Sequence, residues 1–116
     1  FGLHYVYGSM NQEEKKQEME RLQKRLREIN LSKEEESLLL NNLGTLYREL
    51  GEYKKAEPLF LKDLKIREEV LGEEHSDTAT SYNNLAVFYY NQEDIGRAYA
   101  FMKKAVDIYS KVLPPN

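Results

Sequence analysis

Asparagine is the residue whose placement first suggests chemistry in this chain. Asn41-Asn42-Leu43 returns as Asn83-Asn84-Leu85, a shift of 42 residues. A side-chain amide supplies both a donor and an acceptor, so Asn41 and Asn83 can bond a peptide backbone without demanding a particular side chain. They can equally satisfy internal backbone groups or cap a neighbouring helix. That is the chemistry of binding, not of bond breaking. The only histidines, His4 and His75, form no catalytic pair, and cysteine is absent. Disulfides, thiolate metal sites and a cysteine nucleophile are therefore excluded, and a reducing, cytoplasmic location fits. No metal and no cofactor are expected. The nine tyrosines fall at helical spacing and read first as core and interface residues.

The elements that must position these residues follow from the same shift. It superposes Ala56 on Ala98, Lys62 on Lys104, Ile66 on Ile108, Val70 on Val112 and Leu71 on Leu113 without a gap. A long internal period carried by paired helical patterns marks an all-α helical-repeat solenoid, in which each repeat buries its apolar face against a neighbour. The 116 residues carry 17 Lys and Arg against 20 Asp and Glu, a net charge of -3 with the signs interleaved. No basic stripe calls for nucleic acid. No apolar run is long enough to span a bilayer, so neither nucleic acid nor membrane is an expected partner.

Taken in order, Phe1 to Met10 is an aromatic, nearly uncharged stretch. Gly8-Ser9-Met10 reads as a cloning junction, which makes residues 1–10 an appended leader to be kept out of the fold argument. A native strand or tail with Leu3, Tyr5 and Tyr7 on one face is the alternative. Residues 11–31 form an amphipathic capping helix, its narrow stripe being Met19, Leu22, Leu26 and Ile29. That stripe lasts about two heptads, too short for a coiled coil. Ser32 and Glu35 then form a capping box. The first repeat occupies 32–73, with Leu39, Leu40, Leu43, Leu46, Tyr47 and Leu50 as the apolar face and Gly51 as a left-handed cap. Its second helix runs from Tyr53 to Leu71 and should bend slightly at Pro58. The second repeat occupies 74–116, with Ser76 or Asp77 as N-cap, a turn at Gln92-Glu93-Asp94 and a last helix from Ile95 to Leu113. The C-terminus falls near the threshold of a further repeat, so the chain is expected to be cut from a longer array or to end at a repeat boundary.

Leu43-Gly44, Tyr47, Ala56 and Phe60, echoed by Leu85-Ala86, Tyr89, Ala98 and Met102, resemble the tetratricopeptide repeat. Asn41-Asn42-Leu43, the run Gly51 to Leu59 and the run Ile66 to His75 resemble more narrowly the 42-residue form found in kinesin light chains. The likeness covers residues 33 to 113. Asp63 departs from it, standing where the family has alanine, and Ser76 replaces the proline that follows the histidine.

The resemblance implies a right-handed superhelix whose concave face binds an extended peptide of a partner protein. The groove positions it implies are Asn41, Thr45 and Arg48 in the first repeat and Asn83, Asn84, Val87 and Tyr90 in the second. Only Arg48 is basic among them, which argues against capture of a C-terminal carboxylate. The resemblance makes His75 a packing or loop-fixing residue. The expected function is a non-catalytic protein-binding scaffold. The alternatives are a self-associating solenoid segment, or a regulatory segment of a larger enzyme. A homo-oligomer is expected because two repeats fall short of the roughly three that usually make a stable array. Its expected contact is a partly covered flank of Phe101, Ala105, Ile108 and Val112. Asp63 is expected to be partly exposed or paired, a local concession whose replacement by alanine stabilises the fold.

Overall fold

A computed structural model of the chain describes residues 7–28 and 30–112. Among these the regular elements are five helices: α1 (Gln12–Leu26), α2 (Lys33–Glu49), α3 (Tyr53–Leu71), α4 (Ser76–Asn91) and α5 (Ile95–Val112). The fold is an all-α helical repeat. By compactness the chain divides into two units, Phe1–Asp63 and Leu64–Asn116, so the division falls inside α3.

In the first unit α1 starts at a complete capping box. The Asn11 side chain accepts from the Glu14 backbone N–H at 2.8 Å, and the Glu14 carboxylate accepts from the Asn11 N–H at 3.1 Å. The box expected at Ser32 is only half made. Ser32 accepts from the Glu35 N–H at 3.1 Å, but the Glu35 carboxylate instead takes the Arg25 guanidinium at 2.6 Å. A nearby cation outcompetes a backbone N–H for a carboxylate because its hydrogen bond is charge-assisted at both ends.

The stripe of α1 does bury. Leu22 joins Leu43, Leu46 and Tyr7 in one cluster, with Met19, Leu26, Leu39 and Tyr47 packed around it. Tyr7, the last aromatic of the leader stretch, is thus buried in this cluster. The other leader residues up to Val6, and Ile29, lie outside the described residues. The helix also ends earlier than the segment 11–31, at Leu26.

Helices α2 and α3 approach closely, and Gly44 is why they can. A Cβ at Gly44 would stand 2.9 Å from Phe60 Cε1, closer than packed atoms tolerate. One repeat later the same positions hold Ala86 and Met102; the added methyl group stands opposite an unbranched, adaptable side chain instead of a rigid ring. Helix α3 continues past Pro58, which offers no N–H to the carbonyl one turn back.

Of the two alternatives expected for Asp63, partly exposed or paired, the structure has the paired one. Asp63 is 3% exposed, and its Oδ1 accepts a hydrogen bond from the Ser37 hydroxyl. The shift of 42 aligns Ser37 with Ala79 and Asp63 with Ala105, both of them buried. Thus each repeat solves the same contact its own way, one with a polar pair and the other with two methyl groups. A buried carboxylate persists only where such partners offset its desolvation.

In the second unit α4 is capped by His75, not by Ser76 or Asp77. Its Nδ1 accepts from the Asp77 N–H at 3.0 Å. The Thr78 hydroxyl donates to the Gly72 carbonyl at 2.8 Å, and Gly72 itself is left-handed at φ 93. His75 therefore fixes the loop. The Tyr82 hydroxyl donates to Glu68 at 2.5 Å; burial, then this hydrogen bond, push the phenol far above its ordinary pKa.

Phe101 of α5 stacks on Tyr82 and on Tyr89, with ring centroids 6.1 and 5.7 Å apart, while Ala98, Ala105 and Ile108 are buried. The flank expected to drive self-association is thus the one turned into its own unit, apart from Val112, which remains exposed.

The two repeats end their first helices alike. Gly51 is left-handed at φ 78, with its N–H on the Arg48 carbonyl at 3.0 Å and the Glu52 N–H on that of Tyr47 at 2.8 Å. Glu93, at the equivalent position, takes φ 63 and repeats the pattern, its N–H on Tyr90 and the Asp94 N–H on Tyr89, both at 2.9 Å. A side chain in this region is strained, whereas glycine is not.

Two outcomes follow from these geometries. Glu93→Gly should raise the urea midpoint, stabilising the fold by about 0.5–1 kcal/mol after the entropy glycine adds to the unfolded chain; a lowered midpoint contradicts the strain assignment. Asp63→Ala should destabilise by about 1–3 kcal/mol, because a buried hydroxyl loses its acceptor. Adding Ser37→Ala should recover most of that loss by recreating the Ala79 and Ala105 contact. A double variant as unstable as the sum of the singles would show that the pair is not a unit.

Candidate protein-interaction surface

On α4 the positions 83, 87 and 90 lie on one face, with 84 beside them. Asn83 is half-buried, and Asn84, Val87 and Tyr90 are exposed. The opposite face carries the core residues Leu85, Phe88 and Tyr89. Val87 and Tyr90 form, with Ala86, one wall of an open cavity of about 430 Å³. Ile95, Ala98, Tyr99 and Met102 of α5 make the other. No charged side chain lines it.

The first-unit candidates sit in a different environment. Asn41 is half-buried, and its backbone carbonyl accepts from the Thr45 hydroxyl at 2.8 Å. Thr45 is buried, with its hydroxyl spent on that turn of its own helix. Arg48 is half-buried, its guanidinium 5.9 Å from the centroid of the Phe60 ring and 3.7 Å from Glu49. Asn42, which the sequence singles out no more than its neighbour, has a buried Oδ1 that no donor among the described residues satisfies. Such an acceptor costs stability unless something bonds it.

A smaller cavity of about 210 Å³ is lined by Glu73, Glu74, Tyr82, Lys104, Asp107, Ile108 and Lys111. Its three carboxylates face two lysine amines. Glu74 and Lys111 pair at 2.7 Å, which holds the Glu74 carboxyl below its usual range and the Lys111 amine above its own. Lys104 lies 5.3 Å over the Tyr82 ring. No group of three or more His, Cys, Asp or Glu able to hold a metal is present among the described residues. Nor is any helix of the described residues long and apolar enough to cross a membrane.

The α5 wall of the larger cavity was missed by sequence reasoning. Ile95, Tyr99, Met102 and Val106 form one stripe, while Ala98, Phe101, Ala105, Ile108 and Val112 form another. A period of 3.6 finds both, and cannot say which one faces α4. The signal that discriminates is the alanines. Ala98 and Ala105 permit the close approach of two helices, so their stripe is the inner one.

Paired helices repeating at a fixed register, with polar and aromatic groups on the exposed face of α4, define a helical-repeat module. The family profile "Tetratricopeptide repeat" matches residues 35–111, and the chain belongs to that family. The crystal structure of BtubC (BKLC) from P. vanneervenii is similar, with a TM-score of 0.64 and 29% identity over 66% of this chain. The match spans 30% of that protein's length. Both findings agree with tetratricopeptide repeats of the kinesin-light-chain-like type. No curated protein matches the chain. Repeats of this family generally mediate protein–protein interaction, typically without catalysis.

Proposed function

We propose that this chain is a non-catalytic scaffold that binds an extended peptide of a partner protein across the exposed face of α4. The observation that carries the reading is the juxtaposition on that face of the Asn83 and Asn84 amides with the uncharged cavity formed by Val87, Tyr90 and their α5 neighbours. The amides bond the peptide main chain, and an apolar or aromatic side chain of the peptide fills the cavity. Asn41 serves the first repeat as Asn83 serves the second. Arg48, the one cation among the candidate positions, meets an acidic group of the peptide, and Thr45 acts by holding the helix turn beneath Asn41. Ligands with a free carboxylate as their main feature are disfavoured, since the cavity presents no cation. Neither nucleic acid nor membrane is part of this reading, and the cysteine-free chain suits the cytoplasm.

The test uses a peptide selected for binding to this chain from a displayed random library. Asn41→Ala with Asn83→Ala should weaken it by about 1–3 kcal/mol in calorimetry, with the melting temperature nearly intact. Tyr90→Ala should weaken it further. Unchanged affinity in both variants contradicts the groove assignment.

A further inference from the structure

We draw no further inference here: the strongest candidate, the patch of lysines on the exposed face of α3 formed by Lys54, Lys62 and Lys65 around Pro58 and Leu61, is an unpartnered helix surface, and nothing in the structure shows what covers it.

Discussion

Close approach between the two helices of a repeat is the constraint on which the rest of the structure depends. Gly44 sets its limit in the first unit, where a single added carbon would collide with the Phe60 ring. In the second, Ala98 and Ala105 meet α4 with almost no exposure. Small residues at these points let the flanking side chains interdigitate, and packing at that density is what makes each unit rigid. Ser37 and Asp63 hold the same register by a hydrogen bond instead of by methyl groups. That contact is specific in direction but costly to leave half made, which ties the two residues to each other more tightly than Ala79 is tied to Ala105.

Rigidity has a consequence for the surface. With Leu85, Phe88 and Tyr89 fixed inward, Asn83, Val87 and Tyr90 are held outward without needing contacts of their own. The aromatic stack of Tyr82, Phe101 and Tyr89 likewise commits one stripe of α5 to the core and leaves the other open. The proposed binding face is thus a by-product of how the helices pack, and a partner would meet it already ordered, sparing the entropy of arranging it.

Much of this was legible in the sequence. The shift from Asn41 to Asn83 announced the repeat, and the helix ends followed from Gly51, Gly72 and the turn before Ile95. Other features depended on competition that no pattern displays. Glu35 could close its box or meet Arg25, and only the placement of α1 decides. His75 was readable as a residue that fixes the loop, but its cap on α4 depends on a ring nitrogen reaching the Asp77 N–H. Glu93 gave no local sign of a left-handed turn; comparison with Gly51 one repeat earlier would have found it. Asp63 looked anomalous because it was compared with its family, when its explanation lay in Ser37, itself an equal departure from Ala79. Tyr7 stands in a stretch that composition sets apart, yet composition says nothing about whether an aromatic ring clusters with Leu22 and Leu43.

The central claim is that the exposed face of α4, with the cavity it shares with α5, is where a partner protein binds. Backbone amide chemical shifts measured during titration with a library-selected peptide test it most directly. The account predicts that the largest changes fall between Asn83 and Tyr90 and along the Ile95 to Met102 turns of α5. Changes confined to α1, or to the loop from Gly72 to His75, with α4 silent, would contradict it.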